Sequence, residues 1–225
     1  MCSSDLVVSL VEEHLGQVPA GASVLDRTAP RDAPVAVAGE ERDCEQVHLM
    51  VGGRSLERKD PDREALDMVM HALGGGPSSR LFQKIREERG LTYSTYASVS
   101  AYSDAGLTVA YAATNPENAA EVLSLIEAEL DSICADGITA DELDIAKGYL
   151  TGAFAMGFEG TGARAERLGS SLTNYGRVRP VDEQIARWQG VTLDDTRRAV
   201  ERVLCGARVR CAVGPVTLKE LLGEA

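Results

Sequence analysis

Apolar residues fall at helical spacing through Leu6, Val7, Leu10, Val11 and Leu15, and Gly16 fits a stop, so Leu6 to Leu15 is expected to be helical. The stretch Val18 to Asp32 has no period and carries Pro19, Gly21 and Pro30; with Pro34 it reads as a linker. A helix followed by a proline-rich linker suggests the tail of one domain leading into another. The expected division is 1–17, the last helix of a preceding domain; 18–34, a linker; and 35–225, the main domain.

Alternation then begins. Val47, Leu49 and Val51 alternate with Gln46, His48 and Met50, which predicts a strand over Cys44 to Gly52. Asp60-Pro61 reads as an N-cap followed by proline at the first helical position, opening a helix through Leu66, Val69, Met70 and Leu73 to Gly74. Ser78 or Ser79 is expected to cap a second helix, with Leu81, Phe82 and Ile85 on one side and an end near Gly90. Thr92 to Ala101 and Leu107 to Thr114 read as a hairpin around the turn Tyr102 to Gly106. Asn115-Pro116 opens a helix striped by Val122, Leu123, Ile126, Leu130 and Ile133, which Asp136-Gly137 ends. Thr139 to Glu142 is a capping box for a helix with Leu143, Ala146, Leu150 and Phe154 on one face. Helices follow at Ala163 to Tyr175, Pro180 to Gln189 and, capped by Thr192, Leu193 to Leu204; Val209 to Val213 reads as a closing strand. The order predicts an α+β fold, a two-layer sandwich whose mainly antiparallel sheet is covered on one face by helices, with the hairpin beneath the Pro116 and Thr139 helices.

Composition narrows the function. A net charge of −12 argues against nucleic acid, which needs Lys and Arg against its phosphates, and against an anionic membrane surface. The longest uncharged apolar stretch, Gly148 to Phe158, is too short to span a bilayer. No signal peptide is visible and the cytoplasm is the compartment expected, although Leu6 to Leu15 reads as the middle of a domain. Five cysteines, with no C-x-x-C pair, indicate neither a disulfide framework nor a cysteine zinc site; buried free thiols are expected.

Candidate chemistry is sparse. Gly74-Gly75-Gly76-Pro77-Ser78-Ser79 leads into a helix but lacks the lysine of a P-loop and follows a helix instead of a strand, so it reads as a helix end, a turn and a fresh N-cap. His14, His48 and His71 have no histidine partner at metal-ligand spacing, and neither H-E-x-x-H nor H-x-x-E-H occurs. Arg86 and Tyr93 flank one helix-to-strand connection across Gly90. A guanidinium there can grip peptide carbonyls or a carboxylate, and a phenol can donate to a developing oxyanion. The same pair has an ordinary reading, an arginine favourable near a helix C-terminus and a packing tyrosine.

The run Leu73-Gly74-Gly75-Gly76-Pro77-Ser78-Ser79-Arg80-Leu81-Phe82-Gln83-Lys84-Ile85-Arg86-Glu87-Glu88-Arg89-Gly90-Leu91-Thr92-Tyr93-Ser94 resembles the second-half signature of pitrilysin/insulinase-type metallopeptidases, which include the mitochondrial processing peptidase and its bacterial relatives. The likeness extends more loosely from about Gln46 to Val213. The resemblance implies two similar halves closing around an unfolded peptide. The first half carries zinc on H-x-x-E-H with the glutamate as general base; the second lends an arginine and a tyrosine, which correspond to Arg86 and Tyr93. Since this chain has no H-x-x-E-H, no metal residue is expected in it, and it is not expected to cut peptides alone. The expected partners are a peptide substrate and a zinc-bearing homologous half, either on a longer chain or as a separate subunit. The alternative is a non-catalytic relative of the family, structural or peptide-binding, as in the core subunits of respiratory complexes.

Overall fold

The strands β1 (Val37–Glu41), β2 (Val47–Ser55), β3 (Thr92–Ala101), β4 (Gly106–Thr114) and β5 (Val209–Gly214) form one sheet in the order β1-β5-β2-β4-β3. The computed structural model describes residues 4–19, 21, 28, 30 and 37–222, so most of the expected linker lies outside the described residues. β1 runs parallel to β5, and every other pairing is antiparallel. Helices α1 (Ser4–Leu15), α2 (Arg63–Gly74), α3 (Ala119–Asp136), α4 (Ala140–Met156), α5 (Thr161–Tyr175), α6 (Val181–Gln189), α7 (Leu193–Val203) and α8 (Leu218–Leu222) complete the chain. No helix among the described residues is long and apolar enough to cross a membrane.

The alternation read in β2 sorts the two faces. Val47, Leu49 and Val51 are buried while His48 and Met50 are exposed. Opposite Leu49 stand Ala112 and Ala212, so the sheet's core face is built of small residues on β4 and β5. The helices supply the bulk: Leu66, Met68, Val69 and Leu73 of α2, and Val122, Ile126 and Ile133 of α3, are fully buried. α2 packs on β3, and α3 packs on β2 and β4. The Thr139 helix, α4, was expected against the sheet; its principal neighbours are α2 and α6, in a second tier.

Several boundaries differ from the sequence reading, each for a local reason. β2 begins at Val47, because Cys44 to Gln46 form a bend in which the Cys44 thiol donates to the carbonyls of Arg42 and Gln46. α2 begins at Arg63 with Asp62 at its N-cap, not Asp60; Asp60 closes the turn before it by accepting the Asp62 N–H at 2.9 Å. Neither carboxylate caps α2 in the ordinary way. Asp62 is gripped by Arg198 at 2.6 Å and Asp60 by Arg202 at 2.7 Å, which ties the start of α2 to α7. These arginines depress both carboxyls below the usual carboxylate range. The second helix, expected from Ser78 or Ser79 to Gly90, becomes a π-helical turn over Phe82–Glu87, in which the Glu88 N–H reaches the Gln83 carbonyl. Ser79 does not cap it; its hydroxyl donates to the Gly76 carbonyl at 2.6 Å. β1 and α8 have no counterpart in the sequence reading.

The expectation of buried free thiols is corrected. Cys134, at the end of α3, and Cys205, just after α7, form a disulfide with a Cα separation of 5.5 Å. The two helix ends meet although the cysteines stand 71 residues apart. Cys44 and Cys211 are free and half-buried, and Cys2 lies outside the described residues.

The expected capping box at Thr139 forms, and the cap expected at Thr192 proves to be a second box. Thr139 accepts the Glu142 N–H at 3.2 Å and the Thr139 N–H donates to Glu142 at 2.7 Å; Thr192 and Asp195 reciprocate in the same way. The hydroxyl and N–H of Thr192, aided by Arg198, lower the Asp195 carboxyl from 3.8 to about 2. A depressed carboxyl stabilises the fold above its unfolded pKa and loses that contribution as pH falls through its folded value. Asp195→Ala is therefore expected to lose about 1 kcal/mol at pH 7. The deficit should shrink between pH 4 and pH 2, as the wild-type carboxyl protonates (pKa about 2). Urea midpoints of both proteins across that range are the check, and a pH-independent deficit would remove the carboxylate from the account.

Candidate functional site

The connection from the π-helical turn into β3 is built to expose one side chain. Gly90 ends the turn at φ +64°, a left-handed conformation that glycine adopts without steric cost. Its N–H donates to the Arg86 carbonyl at 3.0 Å, and the Leu91 N–H donates to the Ile85 carbonyl at 2.9 Å. β3 then pairs irregularly. Thr92 stands opposite Thr114 and Ser94 opposite Ala113, so Tyr93 is an extra residue on β3, the bulged member of a β-bulge. The bulge is held by threonine hydroxyls. Thr92 Oγ1 donates to the Ala113 carbonyl and accepts the Ser94 N–H at 3.2 Å, while Thr114 Oγ1 donates to the Leu91 carbonyl at 2.5 Å.

Tyr93 is consequently 80% exposed, although it sits in a strand whose neighbour Thr92 is buried. Arg86 is fixed to it. Its Nη1 donates to the Tyr93 carbonyl at 2.9 Å, and its Cζ lies 5.0 Å from the centre of the Tyr93 ring and 4.9 Å from that of Phe82. A guanidinium over an aromatic face is attracted by the ring's quadrupole. The guanidinium carries further N–H donors in the same plane, so holding Tyr93 does not exhaust it. Beside the pair lies a shallow cleft of about 240 Å³ lined by Gln46, Gly90, Leu91, Thr92, Tyr93 and Asn115. The two residues singled out in the sequence are thus brought together, as one unit with a phenol facing solvent.

The glycine run has a different role from a phosphate loop. Gly74 is the last residue of α2, where a Cβ would stand 2.3 Å from the Ala97 nitrogen of β3. Gly75 follows in right-handed helical conformation with its N–H on the His71 carbonyl, so the helix does not end in the left-handed cap that a glycine there suggests. The run allows α2 to touch β3 a few residues beyond Tyr93.

Sequence reasoning missed three features here. Phe82, the second ring against Arg86, was read only as an apolar helix position. The bulge leaves no sequence signature. The open face of the sheet carries a third feature, in which Tyr96 stacks on Tyr111 at 4.7 Å and the Tyr111 hydroxyl lies 2.7 Å from His48 Nδ1. Burial raises the Tyr111 phenol, keeping its proton in place. Alternation places these three residues on one face, but only the strand register makes them neighbours.

The histidines do not assemble a metal centre. His14 lies on α1, His48 on β2 pairs with Tyr111 of β4, and His71 is buried in α2 against the Tyr149 ring at 4.5 Å. Among the described residues no group of three or more His, Cys, Asp or Glu side chains could hold a metal ion. The described residues therefore do not fit a zinc site.

Comparison with known proteins bears on the same segment. The family model described as "Peptidase M16 inactive domain" matches residues 3–150. An "uncharacterized zinc protease" of Mycobacterium tuberculosis is 40% identical over 231 residues, spanning 98% of this chain and 51% of that protein. One from Streptomyces coelicolor is 42% identical over 180 residues, covering 80% of this chain and 39% of its own length. Among solved structures, the peptidase M16 inactive domain from Pseudomonas fluorescens superposes with a TM-score of 0.82 at 23% identity, over 96% of this chain and 52% of that one. A protease from Helicobacter pylori gives a TM-score of 0.82 at 20% identity, over 95% of this chain and 53% of that one. At these identities the structures speak to the fold alone. The chain spans about half the length of the curated relatives it matches over nearly its whole extent.

Proposed function

Because this chain belongs to the M16 family of metallopeptidases, as that family's inactive domain, we propose that it is the substrate-holding half of a zinc endopeptidase and completes an active site whose metal lies on a homologous half. The observation that carries this reading is the extruded Tyr93 with Arg86 hydrogen-bonded to its carbonyl. A packing tyrosine would be turned into the core; this one is held out of it by a bulge and three threonine hydrogen bonds. In the proposed enzyme the Tyr93 hydroxyl donates to the scissile carbonyl oxygen as negative charge gathers there. Arg86 aims that phenol and offers its remaining donors to the peptide backbone.

The domain arrangement belongs to the same proposal. The apolar residues of α1, Leu6, Val7, Leu10, Val11 and Leu15, are between 44% and 59% exposed, and none of the helix is buried. Residues 1–17 are read as the closing helix of a neighbouring domain, with 18–34 as the connection to the domain that starts at 35. The family match itself begins at residue 3 and so includes this helix.

The test is reconstitution with a zinc-bearing H-x-x-E-H half of a close relative. The chain alone is expected to retain no zinc and to release no peptide fragments; the mixture or fusion is expected to cut an unfolded peptide. Arg86→Ala should then lower kcat/KM by on the order of tenfold or more, the worth of a hydrogen bond from a charged group, through both binding and turnover. Arg86→Lys should recover only part of it, since lysine lacks the planar fork. Stoichiometric zinc on the chain alone, or a reconstituted enzyme indifferent to Arg86, would sink this reading and leave a non-catalytic relative of the family.

A further inference from the structure

Most arginines among the described residues are spent on carboxylates: Arg80 on Glu142 at 2.6 Å, Arg202 on Asp60 at 2.7 Å, Arg208 on Asp131 at 2.6 Å, Arg210 on Glu127 at 2.5 Å. A cavity of about 340 Å³ at the far end of β3 breaks that habit. Arg58, Arg167 and Arg179 line it, together with the rings of Phe154, Tyr175 and Trp188. Arg58 donates to Asn174 Oδ1 at 2.8 Å and the Ala101 carbonyl at 2.7 Å, both neutral. Arg167 donates to the Arg179 carbonyl at 2.8 Å, and Arg179 to Gln184 Oε1 at 3.3 Å. The carboxylate nearest Arg179, Glu64, is 4.0 Å away and already holds Arg187 by bonds of 2.5 and 2.8 Å. The second acid in the wall, Asp67, is taken by Arg63. The Nε atoms of Arg167 and Arg179 are buried without a hydrogen-bond partner.

Three guanidinium groups thus converge on one cavity, their hydrogen bonds going to neutral acceptors while the two wall carboxylates, Glu64 and Asp67, are engaged chiefly by Arg187 and Arg63, in a chain whose net charge is −12. Rings hold two of them in place: Arg179 Cζ lies 3.7 Å from the Tyr175 ring centre, and Arg167 Cζ lies 5.1 Å from that of Phe154. Phe154 in turn meets Trp188 edge to face at 5.0 Å, giving an ordered apolar wall beside the charges. Guanidinium forks match carboxylate and phosphate oxygens, and a pocket of this size suits a small molecule.

We infer that this cavity binds a small organic oxyanion, a carboxylate or phosphate group facing Arg58, Arg167 and Arg179, with a ring or other apolar body against Phe154, Tyr175 and Trp188. Ala101 marks its position at the end of β3 opposite Tyr93, ~26 Å away at 3.3 Å per residue. The site is therefore separate from the Arg86–Tyr93 cleft and does not depend on the peptidase reading.

Isothermal titration of the full chain with benzoate, phenyl phosphate and neutral benzamide tests the inference. One or both acids are expected to bind at a single saturable site, at least tenfold tighter than benzamide, and the acid preferred identifies the group the site takes. Arg167→Gln and Arg58→Gln should each weaken that binding tenfold or more. Arg89→Gln, which removes the same charge beside Glu121, should not. Melting curves establish that each variant is folded, and the acid-to-benzamide ratio on the wild-type chain decides the matter even if the cavity variants do not fold. Absence of saturable binding of either acid at millimolar concentration, or equal binding of benzoate and benzamide, overturns the inference, as does wild-type affinity in a folded Arg167→Gln protein.

Discussion

Tyr93→Phe, introduced into the chain joined to a zinc-bearing half, is expected to lower kcat by on the order of a hundredfold while leaving KM near the wild-type value. The ring is 80% exposed and its only loss is a hydroxyl, so the substitution removes a donor without removing packing. A donor to an oxyanion acts on charge that exists only in the transition state, and one such bond is typically worth about 3 kcal/mol. Arg86 and the bulge should still present the phenylalanine ring, because Arg86 bonds the residue-93 carbonyl and not the side chain. Steady-state kinetics on an unfolded peptide, with circular dichroism to establish folding, reads the effect. Wild-type kcat in a folded variant would remove Tyr93 from the chemistry, and an equal rise in KM would make it a peptide-binding residue only.

Gly74→Ala is expected to cost about 3 kcal/mol, near the upper end for overpacking. A Cβ at this position would stand 2.3 Å from the Ala97 nitrogen and 2.7 Å from the Tyr96 carbonyl carbon, both backbone atoms of β3 that no rotamer change can move. α2 must withdraw from the strand, and with it the fully buried Leu73. For a domain of this size the loss corresponds to a fall in Tm of about 6–12 °C. Gly148→Ala supplies the contrast. Gly148 lies on α4 with nothing within 4 Å of an added Cβ, so alanine there should stabilise the helix by about 0.5–1 kcal/mol. If Gly74→Ala unfolds at the wild-type urea concentration, the close approach of α2 to β3 is not the reason for glycine at that position.

Where the chain's own periodicity carries the structure, the sequence was legible. The hairpin Thr92 to Thr114, the α3 stripe and the caps at Thr139 and Thr192 depend on residues within one turn or one strand of each other. What was not legible depends on distant partners. Val37–Glu41 shows no alternation and becomes a strand only because β5 lies beside it. The Phe82–Glu87 segment has an ordinary α-helical composition; its wider winding accompanies a turn in which Leu81 and Ile85 are both fully buried and Gly90 closes the end. Asp60 looks like a cap until Arg202 claims it. Cys134 and Cys205 were unreadable as a pair because linear spacing says nothing about which helix ends meet. The Arg86–Tyr93 pair was legible in its placement across Gly90, and the resemblance favoured its functional reading over the ordinary one, but the bulge that exposes the phenol is a property of register with β4.

The sheet order also constrains how the molecule can be made. β5, the last strand among the described residues, lies between β1 and β2, with Gly39 paired to Ala212 and Leu49 paired to the same alanine from the other side. A ribosome therefore delivers the partner of β1 and one neighbour of β2 only after the other described strands of the sheet have been made. Until then β2 presents an unpaired edge to solvent and to other nascent chains, the kind of edge that recruits foreign strands. The thermodynamic penalty for so long a closure is small, since doubling a loop adds only about 0.6 kcal/mol. The cost is in time: assembly waits for residues 209–214, and anything that stalls or trims the chain before them leaves a four-strand set with a gap where its fifth should sit.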